Sequence, residues 1–124
     1  VVYYYDVYYH GLDIIEVSRI NMALHCWGER FLKRVYTKAE VDFCRNRAPE
    51  LAARFAAKEA VLKALREGGI SWQEVEVIPN QNGAPVVHLY GKAKARAEEL
   101  GIEELTITLS HTKEYAVASV VGGS

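Results

Sequence analysis

A chain of 124 residues, half of them apolar and a quarter charged, has the make-up of one globular domain that fills residues 1–124 and buries a single core. No apolar run is long enough to span a bilayer, and a formal net charge of −1 gives no overall pull toward nucleic acid, so neither membrane nor nucleic acid is expected as a partner. Cys26 and Cys44 lack metal-ligand spacing and are expected to be reduced thiols of a cytoplasmic protein.

The near-neutral total conceals an asymmetry. From Arg19 to Arg66 there are eleven Lys or Arg against five Asp or Glu, while the rest of the chain carries four basic and eleven acidic residues. A basic middle segment suits an anionic partner or substrate bound on one face; a merely solvated helical face explains the charge count equally well.

In chain order, "VVYYYDVYYHG" is dense in Val and Tyr and predicts a strand, with residues 1–6 read as a leader or extension. "DIIEVSRINMALHCWGERFLKRVY" places Ile14, Val17, Ile20 and Leu24 at helical spacing, with an interruption at Gly28. Thr37 stands three residues before Glu40, a capping-box pattern for a short helix. The next helix is predicted from about Pro49 to about Arg66, ended by Gly68 and Gly69. Then the period changes. "WQEVEVIP" and "PVVHLYG" around "NQNG" predict a hairpin, with Gly83 in positive φ. "KAKARAEEL" predicts a helix stopped by Gly101, and "LTITLSHTKEYAVASVV" two strands around a polar loop. The class is α+β, an antiparallel sheet with helices packed on one side.

Three places carry candidate chemistry. In "LAARFAAKEAVLKAL", Leu51, Phe55, Leu62 and Leu65 are expected to form an apolar stripe, with Glu59 at its edge, one turn after Phe55 and one turn before Lys63. Taken alone, Glu59 and Lys63 read as an i,i+4 pair that supports the helix. Asp13, in "HGLDIIEV", reads alone as a helix N-cap. Two carboxylates converging from different elements would instead suit Mg²⁺, which takes one or two protein carboxylates and completes its shell with water and phosphate oxygens. His111, between Ser110 and Thr112 in the predicted loop, is a possible phosphate donor. "NQNGAP" reads as a turn, and no P-loop or GxGxxG is present.

Together, "GLDIIEVSRI", "ARFAAKEAVLKAL", "NGAP" and "LSHTKEYAVASVV" resemble, in order, the short bacterial 4′-phosphopantetheinyl transferases, the holo-[acyl-carrier-protein] synthases. The resemblance covers nearly the whole chain after the leader, and "RFAAKEA" with an upstream "GxDIxE" is its specific part. It implies transfer of the phosphopantetheine arm of coenzyme A to a serine of apo acyl carrier protein, with release of 3′,5′-ADP. It implies further that Asp13 and Glu59 hold Mg²⁺ and that Lys58 and Lys63 add positive charge, with Glu59 the first choice as base. His111 would hold a phosphate oxygen, Asn82, Gly83 and Pro85 would border the adenosine, and Arg54 with the Arg45–Arg47 region would meet the 3′-phosphate. Arg19 would lead the contact to the carrier protein, helped by Arg30, Lys33 and Arg34. The assembly implied is a homotrimer with sites at subunit boundaries. Tyr9 where many members have glycine, a short "KALREGGISW" segment and the long Arg66–Glu67 pair depart from the pattern. Two other readings keep part of the observations: a non-catalytic basic module that binds an acidic protein, and an Mg²⁺-dependent hydrolase of nucleotide pyrophosphates.

Overall fold

A computed structural model describes residues 7–123, so the leader, residues 1–6, lies outside them. Strand β1 runs Tyr8–Glu16 and is followed by α1 (Val17–Trp27), α2 (Glu29–Val35), α3 (Lys38–Cys44) and α4 (Ala48–Leu65). A 3₁₀ turn at Trp72–Glu74 leads into β2 (Val75–Pro79) and β3 (Pro85–Leu89), then α5 (Gly91–Glu99), β4 (Glu104–His111) and β5 (Tyr115–Gly123). The helix-rich first half and hairpin-rich second half agree with the α+β class. The strands form two antiparallel sheets, β1-β5-β4 and β2-β3.

Helix α4 is the centre of the molecule. Twelve of its eighteen residues are buried, mostly alanines, because it lies between the three-stranded sheet and the other helices. The expected stripe is therefore corrected: Leu51 and Leu65 are buried, but Phe55 and Leu62 are only partly so. Together with Glu59 and exposed Lys63 they form an open strip at helical i,i+4 spacing. Alanine, rather than leucine, makes the core contacts because the strands come so close. At Gly11 of β1 a Cβ would sit 1.7 Å from the Ala60 carbonyl oxygen, so only a hydrogen fits there.

Several local signals stand where the residues put them. Gly28, at φ 51°, separates α1 from α2. Thr37 and Glu40 form both bonds of a capping box, and Gly83, at φ 83°, closes the β2–β3 turn. Boundaries differ in four places. Trp72–Glu74, expected in the hairpin strand, is found in the 3₁₀ turn before β2. Strand β1 absorbs Asp13 to Glu16, because pairing with β5 from Asp13↔Ala118 to Glu16↔Tyr115 outweighs the helical period of Ile14 and Val17. Helix α4 ends on Arg66 itself, in left-handed conformation at φ 54°, before either glycine. His111 is the last residue of β4, opposite Ala116, and not in a loop. Cys26 is an exposed and Cys44 a buried free thiol, and burial pushes the Cys44 thiol up to about 11.

Candidate active site

The crossing of β1 over α4 builds the site. Gly11 brings the strand against Ala60, and two residues on, Asp13 reaches the next turn of the helix. There Asp13 Oδ1 lies 2.9 Å from the Lys63 ammonium, which also donates to the Leu12 carbonyl at 3.0 Å. Lys63 thus bridges to the strand instead of pairing along the helix with Glu59, and the helix-supporting Glu–Lys pair is absent. Asp13 is likewise no N-cap: it sits inside β1, four residues before α1 begins. Glu59 lies one turn before Lys63 and accepts a bond from the Trp72 indole N–H at Oε1, 2.9 Å. Arg34, Glu59, Leu62, Ile70, Ser71 and Trp72 line an open groove of about 350 Å³. Arg34, expected on the carrier-protein surface, thus belongs to the carboxylate groove as well.

Lys58 requires a correction. It has no exposed surface and so cannot touch a phosphate from this position. Its ammonium lies 2.7 Å from Glu40 Oε1, donates to the Trp72 carbonyl at 2.9 Å and also donates to the Val75 carbonyl. Burial lowers its pKa from the ordinary lysine value, with the Glu40 carboxylate opposing the shift. Glu40 does double duty: besides the capping box, it accepts the Val77 N–H at 2.7 Å. The reason lies in side-chain direction, since residues 58 and 59 point to different sides of one helix and only one side is open.

A second cluster forms near the start of α4. His111 Nε2 is 3.5 Å from Glu50 Oε1, and Glu50 Oε2 holds Arg54 Nη1 at 2.6 Å. The Arg54 guanidinium stacks on Phe43 at 4.5 Å, and its Nε is buried without a partner. Arg47 also approaches the Phe43 ring, at 5.5 Å, and is tied to the carbonyls of Phe43 and Cys44. Arg45 is exposed at the end of α3. So the fold brings His111 and Arg54 into one cluster through Glu50, a glutamate that the sequence did not single out. Asn82 and Gly83 are exposed on the β2–β3 turn and Pro85 opens β3. None of the three lines the groove around Glu59.

The basic helices present their charges outward. Arg19 lies beside Met22 and Trp27 on α1, lining an open groove of about 690 Å³. Arg30 and Arg34 of α2 flank a mainly apolar groove of about 530 Å³ with Trp27, Phe31, Phe55 and Trp72. Lys33 is exposed on the same helix. Trp72 borders both this groove and that of Glu59, and it is the residue that sequence reasoning passed over. Read as part of a strand-like alternation, it gave no sign that its indole would meet a carboxylate thirteen residues earlier.

The chain is similar to known proteins in both sequence and fold. A family profile described as the 4′-phosphopantetheinyl transferase superfamily matches residues 10–120. The holo-[acyl-carrier-protein] synthase of Dehalococcoides mccartyi is 52% identical over 114 residues, which span 91% of this chain and 96% of that one. The synthase of Herpetosiphon aurantiacus is 46% identical over 121 residues, spanning 90% and 95%. Among solved structures, Helicobacter pylori holo-[acyl-carrier-protein] synthase in complex with coenzyme A superposes with a TM-score of 0.82 at 28% identity, covering 91% of this chain and 98% of that one. The chain belongs to the 4′-phosphopantetheinyl transferase superfamily and, within it, to the holo-[acyl-carrier-protein] synthases.

Proposed function

We propose that this chain moves the 4′-phosphopantetheine arm of coenzyme A onto a serine of apo acyl carrier protein, a step that serves fatty acid biosynthesis. The observation that carries the reading is that Asp13 of β1 is held against Lys63, one helical turn beyond Glu59 on the open strip of α4. In the reaction the serine oxygen bonds to the β-phosphorus of the coenzyme's pyrophosphate. The bond from that phosphorus to the bridging oxygen breaks, and 3′,5′-ADP leaves. Lys63 supplies a fixed positive charge beside the pyrophosphate, and Glu59 takes the proton of the serine. His111 and Arg54, with Arg45 and Arg47 nearby, hold phosphate oxygens, while the Asn82–Gly83 turn and Pro85 border the adenosine.

The residues present fit Mg²⁺. The donor set is two carboxylates, both hard oxygen donors, and Asp13 Oδ1 already holds one cation, the Lys63 ammonium. Asp13 and Glu59 would hold the ion, which when bound neutralises charge on the leaving pyrophosphate oxygen. Among the described residues no group of three His, Cys, Asp or Glu comes together, which sets this site apart from the usual zinc arrangements.

The test is one mass measurement. Incubation of an apo carrier protein with this chain, coenzyme A and Mg²⁺ should raise the carrier's mass by one phosphopantetheine group. Coenzyme A consumed with no gain in carrier mass would make the chain a pyrophosphate hydrolase. Binding of the carrier with coenzyme A left intact would make it a non-catalytic module.

Arg19, exposed on α1, is assigned to the acidic carrier protein, with Arg30, Lys33 and Arg34 assisting. Arg19→Glu should raise the KM for carrier protein strongly and leave that for coenzyme A unchanged, because a reversed charge on a steering surface slows encounter. The defect should be larger at low salt than at high salt. An equal loss toward coenzyme A would place Arg19 in the nucleotide pocket instead.

The assembly is read as a homotrimer with a site at each subunit boundary. Tyr8, Leu12, Ile14 and Val121 leave large apolar side chains exposed on the outer face of the β1-β5-β4 sheet, a surface suited to other copies. Asp13 and Glu59 are assigned to one chain, and the Asn82–Gly83 turn with His111 to its neighbour. Asp13→Ala and His111→Ala chains, each nearly inactive alone, should recover activity in verified mixed trimers; no recovery would place each site within one chain. We place the activity in the cytoplasm; separately, no helix among the described residues is long and apolar enough to cross a membrane.

A further inference from the structure

Lys58 and Trp72 stand beside the carboxylates without a part in the transfer just described. Burying a lysine is costly unless its charge and protons are all met. Here the ammonium is spent on Glu40 and on two backbone carbonyls, those of Trp72 and Val75, at either end of one short turn. Gln73 fastens the same turn to the end of α2, donating to the Lys33 and Tyr36 carbonyls. The backbone of Trp72 is therefore held from two sides. Its ring packs against Phe55, with centroids 5.9 Å apart, one turn before Glu59 on α4. From that fixed position the indole N–H points at Glu59 Oε1, 2.9 Å away.

We propose that Trp72 is a positioning residue: its indole fixes the rotamer of the Glu59 carboxylate, and the buried Lys58–Glu40 pair holds Trp72 in place to do so. The inference rests on the metal and transfer roles given to Glu59 above. A glutamate on an open helix strip has three free torsions and samples many directions. One indole bond on Oε1 removes that freedom, while Oε2 keeps no protein donor among the described residues and stays available to the site. An indole suits the task because it can only donate, so it orders the charged carboxylate without competing for the cation. Partners of this kind, one step behind a ligating group, typically matter by about 10- to 100-fold in metal affinity or activity.

Trp72→Phe keeps the ring against Phe55 and deletes the N–H. The Mg²⁺ concentration for half-maximal transfer should rise about 10-fold or more, with the KM for coenzyme A and the melting temperature unchanged. An unchanged Mg²⁺ requirement, or a rise in the coenzyme KM that accounts for the whole defect, overturns the proposal. A second arm needs no change at Trp72. The chain has two tryptophans, so Trp27→Phe leaves Trp72 as the sole emitter. With coenzyme A present and no carrier protein, added Mg²⁺ should change its emission saturably, and Glu59→Gln on that background should abolish the response. Heat of Mg²⁺ binding without any emission change would overturn the proposal even if Trp72→Phe failed to fold. The emission arm involves no transfer, so failure of the carrier-mass assay would count against the enzyme reading alone.

Discussion

Glu59→Gln and Asp13→Asn should each lower transfer by on the order of 10³-fold or more, since in the proposed reaction several kcal/mol of charge stabilisation at the pyrophosphate depends on them. Both replacements keep shape and remove only the negative charge that a hard cation and a departing proton require. Neither should disturb the fold much. Glu59→Gln retains an oxygen to accept the Trp72 N–H. Asp13→Asn gives up an ion pair whose Lys63 end is 55% exposed, and such pairs contribute little to stability. Carrier mass gain gives the rate, and thermal melting gives the control. Near-normal turnover at low Mg²⁺ in either variant would remove that residue from the metal site.

The largest loss of stability is expected at a residue with no side chain. In Gly11→Ala the new methyl carbon would lie 1.7 Å from the Ala60 carbonyl oxygen and 2.6 Å from its carbon, backbone atoms of the central helix. No rotamer change relieves that clash, so β1 must lift away from α4, at about 3 kcal/mol or more. Activity should fall with it, because the lift carries Asp13 away from Lys63 on the helix. Gly83→Ala serves as the comparison: nothing lies within 4 Å of its Cβ, and only its φ of 83° resists, at about 1 kcal/mol. Urea midpoints compare the two directly. A Gly11→Ala midpoint equal to wild type would mean that strand and helix do not cross as closely as described.

What local chemistry controls was legible in the chain itself. The Thr37–Glu40 capping box, the break at Gly28, the turn at Gly83 and the hairpins follow from interactions a few residues long, and the structure contains each of them. The family was legible too, through the ordered motifs around Asp13, Glu59 and His111, and the match over residues 10–120 bears it out. Tertiary structure decided the rest. Pairing with β5 made a strand of Asp13–Glu16 although Ile14 and Val17 carried a helical period, because a whole edge of hydrogen bonds outweighs a weak local preference. Burial on nearly every side made an interior group of Lys58 while its neighbour Glu59 reached the surface, a distinction of one helical step that depends on where the sheet lies. The bonds from Lys63 to Asp13 and from Trp72 to Glu59 span fifty and thirteen residues, and no periodicity encodes such separations. They exist because a glycine lets β1 lie on α4 and a buried lysine holds the turn that carries the indole.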